Sequence, residues 1–356
     1  MAILENGKDI FQKILSLPQN IILFKLEKAK KTQGETMANP GKIALADMVV
    51  PDIWAKFTTQ SILSHSEFYA SGILASNDLL TQLANGEGKS LNMPYLGELN
   101  GIAQGGGAGY DGTAITQIGG IEIGKNVATK IFSAASFAET DWAAQLSGAD
   151  PIGAITNQLG AFWAKEQQKS LIATINGAID ALDTAKANEK HTLDISQNVI
   201  DAAAVIDAKS LLGSEGNKIS AICMHSKVYY KLVKDNLIEF VAKSEQNSEF
   251  PTYLGLRVIV DDSLVDDAGV YTSYLFANGA IGYANITPPH SVELERVADS
   301  GISLLFSRQG WVMHPYGFSY TGAFNPDNTA LANQANWTLT GNTKAVKIAR
   351  IKHKIA

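Results

Sequence analysis

Four aspartates, Asp261, Asp262, Asp266 and Asp267, fall within seven positions. Carboxylate oxygens at that density are the chemistry of a hard-cation site. They lack the ligand–Gly–ligand spacing and the closing Glu of an EF-hand loop, so they read as solvated turn residues between two strands. Gly107, Gly109 and Gly112 satisfy G-x-G-x-x-G. A dinucleotide site needs a strand before that motif and a helix N-terminus after it; here strand-like sequence follows, so the motif reads as a flexible turn. Cys223 and His225 alternate at a strand end. A thiolate nucleophile needs a depressed pKa and an orienting acid, and the spacing supplies neither. Cys223 sits in the apolar run Ile219 to Met224 and reads as a buried residue. The histidines at 65, 191, 225, 290, 314 and 353 show no ligand spacing. Neither a G-x-S-x-G elbow nor a Walker A loop occurs. No catalytic, cofactor-binding or metal-binding residue is therefore assigned, and no cofactor is expected.

The elements that would position such groups are better defined than the groups themselves. Tyr253 to Ala284 reads as a β-branched strand (Leu256 to Val260), an acidic turn, a second strand (Val270 to Ala277) and a Gly-punctuated continuation (Gly279 to Tyr283). Asp150-Pro151 signals a helix start. Apolar residues follow at 152, 155, 159 and 162 and again at 172, 175, 179 and 182, with a polar stretch from Lys165 to Ser170. The predicted helix, 151–182, spans roughly 48 Å at 1.5 Å per residue, far beyond the average globular helix of about 11–12 residues. Ser196 is placed to cap a helix with Val199, Ile200, Ala203, Ile206 and Leu211 on its apolar face, ended by Gly213, and Ser226 a helix through Val233. Strands are expected at Ile219–Met224, Ser291–Val297, Ile302–Met313, near Phe318, and, as a basic alternating strand, over Lys344 to Ile355.

Residues 85–135 have a different texture. SLNMPYL is strand-like, Gly101 to Gly112 is rich in Gly and Ala, and ITQIGGIEIGKNVATKIFSA alternates as one long strand. Such a hairpin has little with which to bury itself. A partner surface outside the subunit and a flexible surface flap are equally compatible with these residues.

Composition bounds the function. The 356 residues suffice for one large core or two ordinary ones, with 46% hydrophobic and 18% charged residues. The net charge of -6 is uneven: residues 1–36 carry six Lys against four acids, and residues 344–356 carry four Lys and one Arg against none. The remainder is acidic, which argues against an enzyme that wraps nucleic acid. The basic tail reads as a solvated strand face, with non-specific phosphate contact as the alternative. A single cysteine excludes an intrachain disulfide framework. The longest N-terminal apolar run, Ile21 to Phe24, is too short to span a bilayer, so no membrane partner is expected. Trp54, Trp142, Trp163, Trp311 and Trp337 are too dispersed for a base-stacking platform and read as core or interface anchors.

The run VDDSL (260–264), YTSYLF (271–276) and GAIGY (279–283) closely resembles a segment of tailed-phage major capsid proteins with the HK97-like fold. LNMPYLGEL (91–99), the stretch 118–155 and MANPGKIALADMVVPDIWAKF from Met37 carry the same resemblance, which covers about residues 37–325. It implies an α+β fold. Residues 1–36 form an extension or follow an early-assigned start; 37–84 form an N-terminal arm with a helical lead-in; 85–132 form an extended hairpin loop over a neighbouring subunit. Residues 133–192 form a peripheral domain with spine helix 151–182, 193–265 begin an axial domain, 266–325 return strands to both domains, and 326–356 close the chain with the basic strand. It further implies self-assembly as pentamers and hexamers into an icosahedral virion head made in the bacterial cytoplasm. Scaffolding, portal and possible decoration proteins, and packaged double-stranded DNA bound non-specifically, would be the partners. The Lys–Asn cross-link of one branch of that family is not carried onto Lys125. An encapsulin-like nanocompartment shell protein and a soluble hydrolase with a lid hairpin are the alternative readings.

Overall fold

The computed structural model describes residues 68, 71–100, 120–142, 151–241, 250–265 and 269–355, all within one compact unit, Val50–Ala356. The architecture is α+β, built on two mixed sheets and one long helix. The Gly107–Gly112 motif, Asp266, Asp267, His65, Trp54 and residues 1–67 lie outside the described residues.

The chain enters through a short strand β1 (Leu74–Ala75) and helix α1 (Asp78–Asn85), whose cap Asn77 accepts from the Leu80 amide at 2.8 Å. Strands β2 (Ser90–Asn100) and β3 (Gly120–Thr129) pair antiparallel as a sheet of their own. The single long strand expected across 115–134 is two among the described residues. Lys130 breaks it, its ammonium buried against the Gly86 carbonyl at 2.5 Å, and β4 (Ile131–Thr140) leaves β3 to pair with another sheet.

Helix α2 runs Pro151–Ala185, three residues past the expected end. Leu159, Trp163, Leu171, Ile175, Ile179 and Leu182 are buried along it. Its polar middle is divided: Lys165 and Lys169 face solvent, whereas Gln167 and Ser170 turn inward. Gln167 and Ser170 are buried; Gln167 accepts from the Tyr283 hydroxyl at 3.2 Å, and Ser170 lies 3.0 Å from Asn328. These bonds pair the Gln167 carbonyl oxygen and the Ser170 hydroxyl inside the core, while the Gln167 amide nitrogen is buried without a partner.

The seven-stranded sheet has the order β5-β16-β10-β6-β9-β8-β7, comprising β5 (Thr192–Val199), β6 (Ile219–Met224), β7 (Glu239–Val241), β8 (Phe250–Tyr253), β9 (Leu256–Val260), β10 (Tyr271–Ala277) and β16 (Ile348–Lys354). Here two helix expectations are corrected. Residues 192–199 pair parallel with β16, so the local cap signal at Ser196 yields to a long-range ladder. Helix α3 (Ala202–Ser210) is capped by Asp201 instead, its carboxylate 2.7 Å from the Ala204 amide, and Ile206 is exposed. Helix α4 (Ser226–Lys234) is capped by the His225 imidazole, which accepts from the Lys227 amide at 3.0 Å, rather than by Ser226.

At Gly279, in the left-handed conformation at φ +64, the chain leaves this sheet for the second. There β11 (Ile281–Ile286) pairs with β1 and β13 (Ile302–Pro315); β13 also pairs with β12 (Val292–Val297) and β4. A small ribbon, β14 (Phe318–Tyr320) with β15 (Trp337–Leu339), and helix α5 (Asn328–Ala332) pack on α2. One apolar cluster joins α2 to inward faces of both sheets, including Cys223, Tyr274, Trp311 and Met313. A second fills the other face of the seven-stranded sheet against α3 and α4.

Candidate assembly surfaces

The residues that might have done chemistry are occupied with structure. Asp261 is buried, a correction to its reading as a solvated turn residue. Its carboxylate accepts from the Ser263 amide (2.8 Å) and hydroxyl (2.5 Å) and from the Gln168 amide group of α2. Asp262 turns the other way, and a Ser226 hydrogen bond holds its carboxyl below the usual range. Two neighbouring acids therefore tie β9 to two different helices. Among the described residues no group of three or more His, Cys, Asp or Glu is placed to hold a metal ion. Cys223 is buried in β6, and no described helix is long and apolar enough to cross a membrane.

The C-terminal strand differs most from its expectation. The 3₁₀ turn Thr343–Ala345 precedes it, and β16 lies between β5 and β10 with Ile348 to Ile351 buried, so it is not a solvated basic face. Arg350 donates to Asp180 (2.6 Å) and Asp183 (3.3 Å) of α2 and to Thr192 of β5 (2.9 Å). Opposite charge on a distant helix makes this buried position tolerable.

Four histidines are buried, and burial lowers the pKa of three of them. His314 donates through Nε2 to the Phe318 carbonyl at 2.8 Å, and burial pushes its pKa down to about 4. Burial likewise lowers His191 and His353, which bond the Ile348 and Lys354 carbonyls. The unfolded chain, with histidine near 6.5, binds protons that the folded chain refuses. Stability is therefore full above about pH 6.5 and falls as pH drops towards 4, by about 3 kcal/mol for His314. Urea midpoints measured from pH 7 to pH 4 should show this fall. It should shrink in His314→Gln, whose amide can donate to the same carbonyl without titrating; an equal fall in both proteins would contradict it.

Two features face outward. The base of the β2–β3 hairpin is clamped: the Val127 amide donates to Ser319 (3.0 Å), Thr340 donates to Asn126 (2.5 Å), and the Tyr95 hydroxyl donates to the Thr340 carbonyl. Farther out, Ile121 and Ile123 alternate onto one face of β3 and are 50% and 74% exposed, with Lys125 beyond them also exposed. A two-stranded ribbon carrying uncovered isoleucines is marginal alone. At the far end of β4, Trp142 is 75% exposed. Its neighbour Asp141 is fixed by a bidentate fork from Arg296 (2.9 and 2.6 Å), and its backbone N–H donates a hydrogen bond to the Gly301 carbonyl (2.9 Å). Trp163, Trp311 and Trp337 are core residues. Exposed isoleucines read from sequence as ordinary strand residues; among the described residues no third strand pairs with β2 or β3.

These surfaces can bury apolar area against another chain. A family described as Gp13-like, major capsid protein 13-like, matches residues 145–347. The major capsid protein of Bacillus phage SPP1 is 35% identical over 322 residues, covering 87% of this chain and 98% of that one. Among solved structures, the Cyanophage Pam1 capsid asymmetric unit aligns with a TM-score of 0.52 at 11% identity, over 83% of this chain and 92% of that one. The acidic stable capsid structure of Helicobacter pylori bacteriophage KHP30 aligns with a TM-score of 0.51 at 12% identity, over 83% and 90%.

Proposed function

Because the chain belongs to the Gp13-like family of major capsid proteins, we propose that it associates as pentamers and hexamers that close an icosahedral head around double-stranded DNA. The family makes it a major capsid protein of tailed phages, a structural virion component that assembles with copies of itself and is not an enzyme. Its fold is the HK97-like capsid fold. The nanocompartment and hydrolase alternatives are not favoured.

Within this reading the hairpin of 85–132 lies over a neighbouring subunit. The five-stranded sheet with α2 as spine forms the peripheral domain. The seven-stranded sheet forms the axial domain, with β10 and β16 added to the strands between 193 and 265. Residues 37–84 supply the arm; residues 1–36 are an extension or follow an early-assigned start. Scaffolding, portal and decoration proteins and assembly in the host cytoplasm belong to the same proposal, supported by family architecture.

The observation that carries the reading is the hairpin, fixed at its base by Ser319 and Thr340 yet uncovered at Ile121 and Ile123. Each subunit's apolar burial is then completed by its neighbours, and many modest interfaces sum to one stable shell. Negative-stain electron microscopy of the full-length protein should show shells or rings of five or six. The double variant Ile121→Ser/Ile123→Ser should keep the subunit's melting transition and lose the assemblies. A 38.1 kDa monomer that persists even with scaffold would overturn the proposal, and a variant that assembles normally would remove the hairpin from it.

A further inference from the structure

A polar cavity of about 640 Å³ opens where α2 ends, lined by residues 187–191, by Ser210 to Gly213 and by Asn342 to Lys344. Two of these three segments carry a lysine into the lining. Lys190 and Lys344 line the cavity. Lys218 bonds Glu215 at 2.6 Å, and the charges of Lys347 and Lys344 also act on that carboxylate. The nearby acids are already engaged: Glu215 by Lys218, Glu189 by the Thr343 hydroxyl at 2.7 Å, and Asp183 by Arg350 and the His191 amide. On a chain of net charge -6, the lining holds Lys190 and Lys344 against Glu189, and Lys218 and Lys347 stand by Glu215 beside it, a local positive balance. The C-terminal dipole of α2 opposes an anion with only about half a charge.

We propose that this lysine-rimmed cavity is where the subunit holds the phosphodiester backbone of duplex DNA. The assignment rests on the capsid reading, which supplies the DNA. Lysine ammoniums are point charges that suit phosphate without reading sequence. The uneven charge along the C-terminus then has a structural division: Lys344 and Lys347 serve the surface, whereas Arg350, a few residues on, is consumed inside. The acidic middle of the chain repels the duplex, and this rim offers it the opposite charge.

The test is fluorescence anisotropy of a labelled 30-base-pair duplex with full-length unassembled protein, from 50 to 300 mM KCl. Binding should be equal for two unrelated sequences and should weaken steeply with salt. Lys190→Gln/Lys344→Gln/Lys347→Gln should bind about tenfold or more weakly at 100 mM KCl. Its log K against log salt slope should be shallower by at least about 1, given about 0.9 per phosphate contact. The charge-matched Lys227→Gln/Lys231→Gln/Lys234→Gln on α4 should bind like the parent. Equal slopes for the parent and the first triple variant would overturn the proposal. So would complete displacement of the duplex by 10 mM inorganic phosphate, which marks a small-anion site, or preference for an acidic peptide over the duplex. Electron microscopy of the same triple variant reads shell formation separately, so failure to bind DNA is distinguishable from failure of the capsid reading.

Discussion

Arg350→Ala is expected to lower subunit stability by roughly 3 kcal/mol, the scale for breaking a buried ion pair from one side. The Arg350 side chain is 4% exposed, Asp183 is 14% and Asp180 is 40%. The two carboxylates therefore do not contribute alike. Asp180 remains partly solvated without its partner, and water screens most of what the pair is worth. Asp183 does not: it keeps the His191 amide at 2.9 Å but loses its counter-charge. Thr192 loses a donor at 2.9 Å, and the buried Tyr274 phenol, which bonds Asn176 of α2, loses a neighbouring cation. The Asp180, Asp183 and Tyr274 contacts join α2 to β16 and β10, and Thr192 ties β16 to the edge strand β5, so the damage is one of registration between spine and sheet. In double-mutant cycles Asp183→Asn should couple to Arg350→Ala more strongly than Asp180→Asn does. Arg350→Lys should recover only part of the loss, because one ammonium cannot reach two acids and Thr192 together. A urea midpoint within 1 kcal/mol of the parent, at unchanged m-value, would show that the network is solvated.

The same residue shows where sequence reading reaches its limit. The strands of Tyr253 to Ala284, the start of α2 and β13 are legible because local pattern and tertiary demand agree there. Arg350 reads as part of a basic exposed face because its neighbours Lys344, Lys347, Lys352 and Lys354 are all cations. Its compensating acids lie 170 and 167 residues away in α2. Ser196 fails for a related reason, since a cap signal cannot report that β16 will arrive alongside it. Asp261 reads as a turn residue because Gln168, 93 positions earlier, is invisible to local chemistry. In the assembly surfaces, the thinness of the hairpin is legible from its Gly-rich tip and sparse apolar residues. The cavity rim gathered from residues 187–191, 210–213 and 342–344 is not, because no window of sequence contains it.

Gly177→Ala sets two opposed effects against each other. Alanine in a helix interior is favoured over glycine by about 1 kcal/mol, and position 177 lies deep inside α2, so propensity alone predicts a stabilised protein. Space decides otherwise. A Cβ at 177 would stand 2.1 Å from the Leu331 carbonyl oxygen and 2.8 Å from the Trp337 indole nitrogen. The first is backbone, which no rotamer change can move. It is also engaged, accepting from the Trp337 indole at 2.7 Å, while the adjacent Ala330 carbonyl accepts from Asn336 at 2.8 Å. Accommodating one methyl requires α5 to lift from α2, and Trp337, packed edge-on to Tyr320 at 5.0 Å, to lift with it. Overpacking of this kind costs about 1–3 kcal/mol, and loosening a buried tryptophan adds to it. The net expectation is a loss of about 2 kcal/mol, measured as a lower urea midpoint, with near-ultraviolet circular dichroism changed by the displaced Trp337. A variant more stable than the parent would mean that helix propensity wins and that α5 does not sit against the spine as closely as the glycine allows.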